Sequence, residues 1–157
     1  MPRDPVDVVD QQDAFLAHCC RFCLWPDKWH QCAVQGSLSW RTRKLEREQK
    51  AHIPTSSGIY TLIIKPDIVS HPESAYLMYV GQAVDLRDRF EKYITTERRR
   101  RPKVYRLLLK WEGHIFFCYT EVAASDLDFV EDGLLSSFLP PANSNFPGDV
   151  QPVVGAF

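Results

Sequence analysis

Ser57-Gly58-Ile59-Tyr60-Thr61-Leu62-Ile63-Ile64 opens the stretch that decides how this chain is read, and Tyr76-Leu77-Met78-Tyr79-Val80-Gly81 follows after a polar gap. Both runs are rich in β-branched and aromatic residues, as strands are. Each holds a tyrosine close to a glycine, and glycine in a strand marks a place where another group approaches the backbone. The gap, Lys65-Pro66-Asp67-Ile68-Val69-Ser70-His71-Pro72-Glu73-Ser74, is too long for a tight hairpin, and its prolines predict a loop. Antiparallel strands over 58–65 and 75–80 result. Gln82-Ala83-Val84-Asp85-Leu86-Arg87-Asp88-Arg89-Phe90-Glu91-Lys92-Tyr93 comes next and predicts a helix over 83–93. Asp85 near its start suits the helix dipole. Arg89 and Tyr93 are four apart and share a helix face.

Downstream, 101–111 reads as a second helix with Leu107, Leu108 and Trp111 towards the core. The apolar and aromatic run 114–121 reads as a third strand. Ser125-Asp126-Leu127-Asp128 is a helix start, and the helix runs through Phe129, Val130, Leu134, Leu135 and Phe138 to a stop at Pro140-Pro141. The tail 148–157 has no periodicity.

Upstream, the apolar spacing of Val8, Val9, Phe15, Leu16, Cys19, Cys20, Phe22, Cys23 and Leu24 predicts a helix over 6–24, ended by Trp25-Pro26. The same segment allows a second reading. Cys20 and Cys23, with His30 and Cys32 and with His18 nearby, have donor types that close a zinc tetrahedron. Such a site would make the segment an interaction element. The charged run 38–50 predicts a surface helix anchored by Trp40 and Leu45, either a solvated face or a basic arm along a nucleic-acid backbone.

Composition narrows the class. At 157 residues with 45% hydrophobic content, the chain can bury one real core. No apolar run approaches the ~20 residues of a membrane span. Met1-Pro2-Arg3-Asp4-Pro5 lacks a secretory pattern, so a cytoplasmic setting is expected. The five cysteines, an odd number, then read as thiols rather than a disulfide framework. The net charge of −1 conceals nine Lys/Arg against three Asp/Glu over 87–106. A concentrated basic segment in a near-neutral chain points to a localised anionic partner. Arg98, Arg99, Arg100, Arg101, Lys103 and Arg106 are suited to phosphate-backbone contacts, which supply affinity without sequence readout.

Gly58-Ile59-Tyr60, Tyr79-Val80-Gly81, Asp85-Leu86-Arg87-Asp88-Arg89, Glu131 and Pro140-Pro141-Ala142-Asn143 occur in that order. Together they resemble the GIY-YIG nuclease signature across 54–147. That family includes homing endonucleases, restriction enzymes and the incision subunit of bacterial nucleotide-excision repair. The resemblance implies an α+β domain at 54–147. Its three-stranded antiparallel sheet is flanked by helices in the order β-β-α-α-β-α. A helical extension at 1–53 and a tail at 148–157 would complete the chain.

The resemblance also implies a divalent-metal-dependent DNA endonuclease. Tyr60, Tyr79, Arg89, Tyr93, Glu131 and Asn143 would form the catalytic set. Glu131 would be the metal ligand for Mg2+, with Mn2+ as a substitute, and Asp128 a competing carboxylate; Asp132 is expected to face elsewhere. Tyr60 would deprotonate the attacking water, Arg89 would contact the scissile phosphate, and Asn143 would buttress the site. Unperturbed tyrosine has a pKa of about 10, so a phenolate base needs positive charge nearby. Many family members place lysine where this chain has Gln82. Gln82 is therefore a substrate contact without that charge, and Arg87 or Lys65 is the expected compensation. The partner would be double-stranded DNA, with a homodimer as one route to a double-strand break. The alternative is a non-catalytic nucleic-acid-binding module that keeps the fold.

Overall fold

Arg41–Lys44 (β1), Gly58–Ile64 (β2), Tyr76–Ala83 (β3) and Ile115–Glu121 (β4) form one antiparallel sheet in the order β1-β4-β2-β3. The computed structural model describes residues 19–32, 38–66, 71–95 and 101–154. Its α-helices are Pro26–Gln31 (α1), Leu86–Thr95 (α2), Pro102–Lys110 (α3), Leu127–Phe138 (α4) and Gln151–Val154 (α5), with 3₁₀ turns at Arg47–His52 and Ala124–Asp126.

β2 lies between two neighbours, and six of its seven residues are buried. A continuous β-branched and aromatic run suits a strand covered on both faces. Alternate side chains point to opposite faces. Tyr60, Leu62 and Ile64 face one layer with Phe117 and Tyr119, beneath α2 (Leu86, Phe90, Tyr93) and α3 (Val104, Leu107, Leu108). Ile59 and Val80 face the other layer, beneath Leu127, Val130, Leu134 and Leu135 of α4. Each fully buried large side chain in these layers contributes about 1.5–3 kcal/mol.

The caps follow from sequence. Asp85 accepts a hydrogen bond from the Asp88 backbone N–H at 2.9 Å, an N-cap contact that starts α2. Leu139 adopts φ 44° at the end of α4, with Pro140-Pro141 behind it to prevent continuation.

The sheet has four strands, not three. The segment expected as a surface helix supplies the fourth: β1 pairs with β4 from Arg41↔Tyr119 to Lys44↔Phe116. Charge had obscured a strand that sits at the sheet edge, where exposed Arg41 and Arg43 are tolerated and discourage further pairing. Ile53, just after the first 3₁₀ turn, is fully buried in the core. The helix expected over 6–24 is absent from 19–24, and residues 1–18 lie outside the described residues. Pro26 begins α1 instead of ending a helix, because the first helical position needs no backbone N–H.

β3 continues three residues beyond its expected end, to Ala83. A bulge interrupts it: Leu62 pairs with Tyr79 but Ile63 pairs with Leu77, leaving Met78 as the extra residue. The outer edge of β3 is closed by the turn after α4. The Ala142 N–H donates to the Met78 carbonyl at 2.9 Å. The Asn143 side-chain amide donates to the Val80 carbonyl at 2.8 Å and accepts from the Val80 N–H at 3.0 Å. One side chain thus serves the backbone groups of an edge residue, as a fifth strand would.

Candidate active site

The two motif glycines are explained by space. Gly58 pairs with Glu121 and Ala83, and a Cβ there would lie 2.3 Å from the Thr120 carbonyl oxygen. Gly81 pairs with Tyr60, and a Cβ there would lie 2.5 Å from the Tyr60 hydroxyl and 2.8 Å from the Tyr79 ring. Glycine at 81 lets two phenols converge over the backbone.

Tyr60 stacks on Phe117 with ring centroids 4.9 Å apart. Its hydroxyl shares a hydrogen bond with the Tyr93 hydroxyl at 2.8 Å. Tyr60 is 0% exposed. Burial, then the neighbouring Tyr93 and Tyr79, hold its pKa well above the ordinary tyrosine range, and Arg89 opposes them. Burial likewise raises Tyr93. Both phenols stay protonated at neutral pH. Arg89, one turn before Tyr93 on α2, is within electrostatic reach of Tyr60, Tyr79 and Tyr93.

Tyr79 differs from these two. It lines an open groove of about 750 Å3 along the β3 edge, together with Arg101, Lys103, Glu131, Asp132 and Asn143. An Arg101 Nη donates to the Tyr79 hydroxyl. The guanidinium carbon lies 5.7 Å from the Tyr79 ring centroid. Burial raises the Tyr79 pKa; Arg101 is the main opposing influence, while Glu131 pushes it further up.

Glu131 projects from α4, which covers the other face of the sheet, and meets Tyr79 around the β3 edge. Partial burial raises its carboxyl above the usual range. A hydrogen bond from Gln82 opposes that rise, Asp132 and Asp128 add to it, and Arg101 lowers it. Gln82 also donates to Asp128 Oδ1 at 2.7 Å. Gln82 is therefore engaged with two carboxylates of α4, and Asp128, the competing acid, is held on it. Asp132, expected to face elsewhere, lines the same groove as Glu131.

Other expected residues fall elsewhere. Arg87 Nε donates to the Ile53 carbonyl at 2.7 Å, fastening the segment before β2. Lys103 Nζ reaches the Asn143 carbonyl at 3.4 Å. Lys103 also borders a second, smaller groove of about 210 Å3 with Arg106 and Lys110. Arg98, Arg99 and Arg100 lie outside the described residues. Cys32 Sγ donates to the Gly133 carbonyl at 3.3 Å, and Cys19 and Cys20 are exposed. Among the described residues no three His, Cys, Asp or Glu side chains are grouped to hold a metal, and His18 lies outside them. The pairing of Arg101 with Tyr79 had no periodic signal. Its one clue was position, immediately before the Pro102 that starts α3.

The donor set can be tested against a divalent cation. Glu131 offers an oxygen ligand beside an open groove, without an all-protein cage. That fits Mg2+, which keeps several waters and binds through one or two carboxylates plus substrate phosphate. Among the described residues no helix is long and apolar enough to cross a membrane.

No family model matches the sequence, and no curated protein matches it. Solved structures do. The chain is similar to the GIY-YIG N-terminal endonuclease domain of UvrC from Thermotoga maritima bound to magnesium, at 19% identity and a TM-score of 0.44, covering 62% of this chain and 94% of that one. A point mutant of the same domain, bound to its catalytic divalent cation, is similar at 18% identity and a TM-score of 0.45, covering 63% and 94%.

Proposed function

We propose that this chain is a divalent-metal-dependent endonuclease of the GIY-YIG type that hydrolyses DNA phosphodiester bonds. The observation that carries this reading is the convergence of Tyr79, Arg101 and Glu131, drawn from three separate segments, on one open groove. Hydrolysis needs a water stripped of a proton, charge stabilisation on phosphate oxygens, and neutralisation of the departing oxygen. Glu131 would hold Mg2+, or Mn2+ as a substitute, whose chemistry there would be to neutralise charge on the departing 3′ oxygen.

Tyr79 is the phenol positioned to meet the attacking water, because the Tyr60 hydroxyl is enclosed and bonded to Tyr93. Tyr60 and Tyr93 then order the site from behind. Arg89 stabilises charge on the phosphate, and Asn143 fixes β3 beneath it. Lys103 and Arg106, with the preceding arginines, follow the backbone of double-stranded DNA. One such site cuts one strand, and a dimer would be needed for a concerted double cut.

The test is plasmid nicking with Mg2+, compared with EDTA and with Glu131→Ala. Cleavage surviving both controls removes Glu131 from the site. A second reading, a binding module without catalysis, draws support from the protonated state of Tyr60 and Tyr93 and from neutral Gln82. It expects DNA binding with no nicking under any divalent ion.

A further inference from the structure

We infer that Gln82 is a positioning residue for the metal ligand: its side-chain amide, held between Asp128 and Glu131, fixes the Glu131 carboxylate at the β3 edge for a divalent cation. The assignment of Glu131 as ligand rests on the nuclease reading; the bridge itself rests on geometry.

Strand alternation decides which way Gln82 faces. Val80 and Gln82 are two apart on β3, and Val80 packs beneath α4. Gln82 pairs in register with Ile59, which lies in the same layer. Tyr79 and Gly81 take the opposite face, where the phenols converge. On α4, Asp128 and Glu131 are three apart and share one helix face. Gln82 Nε2 donates to Asp128 Oδ1 at 2.7 Å, and Gln82 also hydrogen-bonds Glu131. A primary amide carries two N–H donors, one for each acid. The bridge therefore ties the strand that carries Tyr79 to the helix that carries Glu131.

The chemistry of an amide suits this task. A lysine at 82 would cancel part of the negative charge that draws a divalent cation. The neutral amide orients the carboxylates and leaves their charge in place. Orientation matters more where an ion is held by one or two carboxylates than where a full protein cage surrounds it. Side chains that hold a ligand, rather than the ion, typically change metal affinity by about 10–100-fold when removed. Asp128 is exposed, and its part is to anchor the far side of the amide.

The experiment titrates Mn2+ into the DNA-free protein and follows the free ion by electron paramagnetic resonance. Only binding abolished by Glu131→Ala counts as the site. Gln82→Met keeps the length of the side chain without its donors, and Gln82→Lys keeps donors but adds charge. Each should weaken Mn2+ binding by about tenfold or more. An affinity unchanged in either variant overturns the inference. Asp128→Ala should cause part of the same loss, and combining it with Gln82→Met should add little, because the two side chains act as one unit. Fully additive losses overturn the bridge and make Asp128 a ligand in its own right. In plasmid nicking, the Mg2+ concentration for half-maximal rate should rise by a similar factor in both Gln82 variants. A lowered limiting rate with an unshifted Mg2+ requirement overturns the positioning role and leaves Gln82 as a substrate contact. A wild type that binds Mn2+ but never nicks DNA overturns the nuclease reading, while the binding titration still decides the bridge. A wild type with no Glu131-dependent Mn2+ site overturns both.

Discussion

The Tyr60 and Tyr93 hydroxyls lie 2.8 Å apart inside the protein, one from the central strand and one from the helix above it. They form a closed pair rather than two independent catalytic phenols. Removing one hydroxyl strands the other in a site with almost no solvent. Tyr60→Phe and Tyr93→Phe should each destabilise the fold by about 1–3 kcal/mol, and the double variant should cost less than their sum. Urea unfolding of the four proteins measures the coupling. Simple additivity would mean that the bond contributes nothing.

The two motif glycines should fail in different ways. Gly58→Ala drives a methyl into the Thr120 carbonyl, which belongs to a paired strand and has little room to move. It should lose about 1–3 kcal/mol of stability, as overpacking does. Gly81→Ala meets the Tyr60 and Tyr79 rings instead. Its main effect should be on nicking rate, through displaced phenols. Unfolding midpoints and single-turnover nicking rates separate the two outcomes.

Glu131→Gln should lower nicking by on the order of 10²–10³, on the scale of a lost charge-stabilising group. Its effect on stability should have the opposite sign. Burial raises the Glu131 pKa in the folded protein, so the folded state binds this proton more tightly than the unfolded state. The stabilising contribution of that proton is fully present below the unfolded pKa of about 4.3 and is lost as pH rises through the folded value. In EDTA, the glutamine variant should therefore be the more stable protein at neutral pH. The difference should fade on acidification through the carboxylate range. Thermal unfolding across that range checks the sign.

Asn143→Ala should free the Val80 N–H and carbonyl together and cost about 1–3 kcal/mol. Asn143→Asp keeps an acceptor for the N–H but sets a second oxygen against the Val80 carbonyl, so it should not restore stability. Hydrogen exchange at the Val80 amide is the direct readout: exchange that stays as slow as in the wild type in both variants would show the clamp to be dispensable.

Much of the architecture was readable because its signals are local. The Gly58–Ile64 run, the Asp85 cap and the stop at Pro140-Pro141 each state their structure within a few residues. β1 was missed because a four-residue edge strand needs no apolar alternation, and its pairing with β4 is set by residues more than seventy positions away. Of the residues named from the motif, Tyr79, Glu131 and Asn143 line one groove at the β3 edge while Tyr60 and Tyr93 are buried away from it, a division that was not readable. Tyr60 and Tyr79 share one core layer, and only depth within it separates the enclosed Tyr60 from Tyr79 at the groove. Arg101 carries no motif at all, and its place against Tyr79 emerges only from the fold. Asp132 was assigned outward from its helix angle alone, without the 142–147 segment that folds the groove around it.

Tyr93 and Glu131 ride on helices that cover opposite faces of the sheet. During refolding, neither helix alone can assemble the groove, however complete its own docking. On the proposed nuclease reading, nicking would be regained only after α4 and the Asn143 turn, the late segments of the site, have seated, and its recovery should lag behind recovery of helix signal.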